Sequence, residues 1–135
     1  VKRLTHTAIL ILTIAIALTS TVKTAHSANF VVYSVYKELD MGNPGEIIQK
    51  DYYLNMGSTD GLHKGSTVTV YRKISTYDLL SEKLYKDITF PIAKLKIIHV
   101  ENNAAVARVE SMVSGADTPA LAPRAVMIGD LVSAR

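Results

Sequence analysis

In several runs of this chain apolar side chains recur at every second position, β-branched and aromatic residues dominate, and helical spacing is weak almost everywhere after the N-terminal residues. Alternation of that kind puts successive side chains on opposite faces of an extended backbone, so it predicts half-buried β-strands. Phe30 to Tyr36 (FVVYSVY) reads as a first strand, closed by the turn cluster Gly42-Asn43-Pro44-Gly45. Glu46 to Met56 reads as a second, in which Tyr52, Leu54 and Met56 alternate with Asp51, Tyr53 and Asn55. Thr67 to Lys73 is a third, with Val68 and Val70 on one side and Thr67, Thr69 and Tyr71 on the other. Pro91 to Val100 and Ala104 to Met112 flank Glu101-Asn102-Asn103 and so predict a hairpin. Ala125 to Ala134 supplies a sixth strand, with Gly129 at a bulge or bend.

Two segments break the alternation. Ser75-Thr76-Tyr77-Asp78 matches a helix-capping signature, and Tyr77, Leu80 and Leu84 follow at i, i+3 and i+7. A short helix from Thr76 to Leu84 is therefore expected, with a mobile loop as the competing reading. Ser114 to Arg124 is rich in proline and small residues and reads as an irregular strap before the last strand. Five or six short strands separated by turns argue for an all-β, antiparallel domain. At this size a small barrel is more economical than a sandwich, because closure leaves few free edges.

The N-terminal residues have a different character. Lys2 and Arg3 precede an apolar run, Ala8 to Leu18, and Thr24-Ala25-His26-Ser27 offers small residues for cleavage before Ala28. Residues 1–27 thus read as a signal-peptide helix for export, and 28–135 as a single β-barrel domain. A retained membrane anchor needs roughly 20 apolar residues, whereas this run has eleven. On this reading the membrane is met only through the uncleaved signal, and the mature protein is periplasmic. The sequence contains no cysteine, which removes lipidation, disulfides and a thiol nucleophile from consideration.

Export also changes the charge. Lys2, Arg3 and Lys23 belong to the signal, which leaves 12 of the 15 basic residues against 12 acidic ones. A nucleic-acid partner calls for a basic face that neutralises phosphates, and the remaining charges alternate in sign. Nucleic acid is not expected.

Gly57 to Gly65 (GSTDGLHKG) is the stretch that most resembles a site. A phosphate loop needs G-x-x-x-x-G-K-[ST] between a strand and a helix, and neither the spacing of Gly57 and Gly61 nor the following strand fits. Asp60 and His63 form a lone pair without the further ligands that metal or catalytic sites use. The remaining reading is geometric. Asp60-Gly61 makes a turn, Leu62 points inward as a plug, and Gly65 lets the chain bend into the next strand. Gly57, Asp60, Gly61 and Gly65 are then structural.

Leu54-Asn-Met-Gly-Ser-Thr-Asp-Gly-Leu-His-Lys-Gly-Ser-Thr-Val-Thr-Val-Tyr-Arg72 resembles the strand–G-S-x-D-G-[VL]-x-x-G–strand signature of small envelope β-domains. The C-terminal domain of flagellar assembly protein T is the nearest of these, and rod-shape-determining envelope proteins have a similar turn. Pro91 to Val100 with Ala104 to Val109 is similar to the flagellar domain's hairpin, and Ile128-Gly-Asp-Leu-Val132 resembles its closing strand. The resemblance implies an SH3-like barrel and a place among flagellar basal-body components.

The other chemistry-bearing residues point the same way. His63 and His99 lack a second ligand at useful spacing, and no serine sits in a nucleophile elbow. No catalytic residue, metal or cofactor is expected, and the chain reads as non-enzymatic. Tyrosine is the better lead, since exposed tyrosines are enriched at protein contacts. Tyr53 and Tyr71, on the outward phase of their strands, join Tyr77, Leu80 and Leu84 as expected contacts for another envelope protein. The alternative partner is peptidoglycan or another glycan, stacked on the same tyrosines.

Overall fold

A computed structural model describes residues 29–121 and 124–134 of the chain. The expected signal helix, within residues 1–27, lies outside the described residues. The strands are β1 (Phe30–Lys37), β2 (Lys50–Leu54), β3 (Thr67–Asp78), β4 (Lys83–Val100), β5 (Ala105–Met112) and β6 (Leu131–Ala134). A single 3-10 turn, Ser58–Asp60, is the one helical element among the described residues. All neighbouring strands pair antiparallel, and the sheet closes into a barrel in the order β1-β2-β5-β4-β3-β6.

The alternation read from the sequence is the alternation of burial. Tyr52, Leu54 and Met56 are buried from β2 onward, and Val68 and Val70 are buried on β3. Val32, Leu95 and Ile97 join them with almost no exposed surface. Each such aliphatic side chain contributes about 1.5–3 kcal/mol through removal from water, and together they form one core cluster.

One charged group is buried among the described residues: Asp130, 6% exposed. Arg72, at 11%, grips it with two bonds, Nε to Oδ1 at 2.8 Å and Nη2 to Oδ2 at 2.7 Å. Nη2 also donates to the Ala125 carbonyl at 2.7 Å, and the Met127 N–H donates to Asp130 Oδ2 at 2.7 Å. The hydrogen bond that Arg72 donates to Asp130 holds the guanidinium above its ordinary pKa, against the opposing effect of burial. This pair clamps β3 to the turn that delivers β6, where the barrel closes. The seam itself is short, with Phe30 opposite Val132 and Val31 opposite Leu131.

Several expected boundaries move, four of them by more than two residues. The second strand begins at Lys50 and not Glu46, and the sixth at Leu131 and not Ala125. Before β6 the chain makes a turn, with Gly129 at φ +92° and the Asp130 N–H donating to the Met127 carbonyl at 3.2 Å. The third strand continues to Asp78, and the fourth starts at Lys83. The expected helix from Thr76 to Leu84 is therefore absent; β3 and β4 form one long hairpin there, from Lys73 opposite Thr89 to Asp78 opposite Lys83.

The hydroxyls that looked like helix caps are used across this hairpin. Ser75 Oγ donates to Asp87 Oδ1 and Thr76 Oγ1 to the Lys86 carbonyl, both at 2.6 Å. A helix here needs a costly new nucleus, whereas the hairpin extends a ladder already formed at its base.

Candidate functional site

The glycine loop folds as a corner. Gly61 and Gly65 both sit at φ +89°, which lets the chain reverse twice within a few residues. Between them Leu62 is 1% exposed and enters the core. Gly57 is needed for a different reason: its backbone is extended, and a Cβ there would collide with the carbonyl oxygens of Glu101 and Asn102. The β4–β5 turn rests on it.

Most of the loop's amides are already occupied. Ser58 N–H donates to the Glu101 carbonyl at 2.9 Å and Thr59 N–H to the Asn102 carbonyl at 3.1 Å. Gly57 N–H donates to Asp60 Oδ2 at 2.9 Å, and those of Asp60, Gly61 and Leu62 turn back onto Ser58 or Gly57 carbonyls. Gly65 N–H donates to the Ile97 carbonyl at 2.8 Å. A phosphate cradle presents such donors to a ligand; here they tie β2, β3 and β4 together. Among the described residues no group of three or more His, Cys, Asp or Glu could hold a metal ion.

Tyr53 and Tyr71 are not brought together. Two strands separate β2 from β3 in either direction around the barrel, so the two rings lie on opposite walls. Tyr53 instead packs edge-on between Tyr33 and Tyr36, with ring centroids at 6.2 and 5.2 Å. Tyr77, Leu80 and Leu84 do share one feature, the β3–β4 arm.

That arm leaves the barrel. β6 accompanies β3 only as far as Tyr71, and β5 accompanies β4 only between Ala93 and Val100. Beyond Lys73 and Thr89 the hairpin is a two-stranded ribbon, reaching about 20 Å at the usual rise of a strand. Its turn presents Leu79 and Leu80, 83% and 98% exposed, beside the exposed side chains of Tyr77, Leu84 and Tyr85. Glu82 there adopts φ +54°, a left-handed geometry that costs a non-glycine residue about 1–2 kcal/mol.

Asp78 fastens the turn by accepting from Ser81 Oγ at 2.6 Å and from the Leu80 N–H at 2.9 Å. Those bonds, Ser81's first, hold its carboxyl below the usual carboxylate range. Asp87 is lowered in the same direction by Lys73, at 2.6 Å, and then by Ser75. Since both folded values lie below the unfolded ones, their support for the arm is present at neutral pH and is lost as the pH falls through the lowered values.

The sequence marks the Ser75–Asp87 excursion and the outward tyrosines as a contact surface, but it does not single out Leu79 or group Tyr33 and Tyr36 with Tyr53. Helical spacing hides the leucine. The cluster depends on strand register, which no local pattern reports. No family model, curated protein or solved structure matches this chain.

Proposed function

We propose that this chain is a non-enzymatic interaction module of a bacterial envelope assembly, exported to the periplasm, and that the β3–β4 arm is its docking element. The observation that carries the reading is the arm's apolar turn, where Leu79 and Leu80 are almost fully exposed at the end of a two-stranded ribbon. A two-stranded ribbon is marginal by itself in water. Its two outer edges and its apolar end are stabilised together when a partner strand or groove covers them.

The arm's charges narrow the partner. Lys73, Lys83 and Lys86 are balanced by Asp78, Glu82 and Asp87, so there is no net charge to draw in a polyphosphate or an anionic surface. The partner is a protein with an apolar groove. The loop and hairpin motifs that resemble flagellar assembly protein T make the flagellar basal body the assembly to test first.

A photo-reactive residue at position 80 tests this in cells of the bacterium that carries the protein. The expected result is one discrete protein adduct, lost when Tyr77 and Leu84 are both changed to serine and absent when the probe is moved to Lys94 on the barrel wall. No adduct at position 80, or an equal adduct at position 94, contradicts the proposal.

A further inference from the structure

A second feature, on the outer wall of the barrel and separate from the arm, is built by two β-bulges. In β1 the pairing with β2 jumps between Val32 and Ser34, so Tyr33 is an extra residue. Val32 points into the core and Val35 packs against it, which leaves Tyr33 and Tyr36 outside on either side of Tyr53. In β4 the pairing with β5 jumps between Ile97 and His99. Strict alternation from the buried Ile97 would return His99 to the core; the extra residue, Ile98, turns His99 outward. Bulges of this kind re-aim side chains and concentrate beside functional sites.

Both bulges aim at one place. Tyr53 on β2 lies opposite Val106 on β5, and Val106 lies opposite His99 on β4. This row floors a cleft of about 230 Å³ between Tyr33, Tyr53, His99, Glu101 and Ala104. Its surface is almost wholly apolar, with aromatic rings at one end and small alanines beneath. At the other end His99 Nε2 and Glu101 Oε1 form a polar pair at 2.8 Å. A concave apolar surface with a few convergent polar groups is the usual make-up of a small-ligand site.

We propose that this cleft is a saccharide site that takes a β-linked, gluco-configured pyranose ring. Such a ring carries its C–H bonds on its two faces and its hydroxyls around its edge. The faces suit the tyrosine wall, whose rings are negative on the face and favour C–H contact. The edge hydroxyls suit the His99–Glu101 pair, in which the carboxylate accepts and the imidazole donates or accepts. The cleft has no lysine or arginine among its lining residues, so a phosphate or sulfate ligand would have no counter-charge. A small organic cation is the rival occupant of an aromatic cleft, and the titration with tetramethylammonium separates the two. The inference is independent of the arm, and neither stands or falls with the other.

Titration of the ¹⁵N-labelled full chain with chitotetraose and with cellotetraose, each to about 10 mM so that millimolar binding is visible, tests the site. With at least one of them, amide shifts are expected at Tyr33, Tyr53, His99, Glu101 and Val106. Tyr33→Ala is expected to weaken binding about tenfold, the equivalent of one aromatic contact, and Glu101→Gln to weaken it measurably without lowering the melting temperature. Leu80→Ser leaves binding unchanged. Four results overturn the assignment: no shifts with either sugar, shifts centred elsewhere, binding indifferent to both cleft variants, or shifts with tetramethylammonium alone.

Discussion

Asp130→Ala unfolds at a much lower temperature than the parent chain, with a loss of about 3–5 kcal/mol, because it leaves a buried guanidinium without its carboxylate. Arg72 is 11% exposed, and Asp130 accepts one bond from its Nε and one from its Nη2. The Met127 N–H also loses its acceptor, which loosens the turn that launches β6. For a domain near 100 residues such a loss corresponds to a fall of about 15–25 °C in the melting point. The companion variant Arg72→Met with Asp130→Ala removes both charges and recovers part of the loss, since a buried pair replaced by apolar groups is often close to neutral. Thermal melts of the three proteins decide it. A single variant that loses less than about 1 kcal/mol would show that the closing seam does not depend on this pair.

Leu62→Ala is expected to cost about 2–5 kcal/mol, the range for emptying a well-packed aliphatic site. Leu62 is the plug of the corner, held between two glycines in left-handed conformations. His63→Ala and Lys64→Ala, on the exposed side of the same loop, shift stability by less than about 0.5 kcal/mol. Chemical denaturation of these variants separates a corner from a ligand site, because a ligand site would be sensitive in function at His63 or Lys64 and tolerant in stability at Leu62. A Leu62→Ala variant as stable as the parent contradicts the packing role.

What the sequence carried legibly was local and periodic. The two-residue phase of Tyr52, Leu54 and Met56, and of Val68 and Val70, is a direct imprint of one buried face, and it is the face that is buried. The turn at Glu101-Asn102-Asn103 was legible from its own composition, since β4 ends at Val100 and β5 begins at Ala105. The arm was legible as an excursion from Ser75 to Asp87 but not as a hairpin, for a specific reason. Tyr77, Leu80 and Leu84 fall at helical spacing only because one belongs to a strand, one to the turn and one to the returning strand. Ser75 and Thr76 bond equally well to a helix start or across a hairpin, and the ladder below them settled the matter.

Long-range pairing was the other blind spot. Arg72 and Asp130 are far apart in sequence, and nothing near either residue marks it as buried or names its partner. Tyr53 and Tyr71 were expected as one surface because a short loop joins their strands. The barrel places two further strands between them, and the bulge at Tyr33 supplies Tyr53 with different neighbours. Register and closure decide such contacts, and neither is written in a run of a few residues.

Amide hydrogen exchange of the protein by itself tests the division of labour most directly: a barrel that completes its own hydrogen bonding and an arm left over for something else. Amides of Gly57 to Leu62 and of Ile92 to Ile97 are expected to exchange only through global unfolding, and those from Ile74 to Ile88 on the arm orders of magnitude faster, through local opening. Rapid exchange across the glycine corner, or protection of the arm equal to that of the barrel, contradicts it.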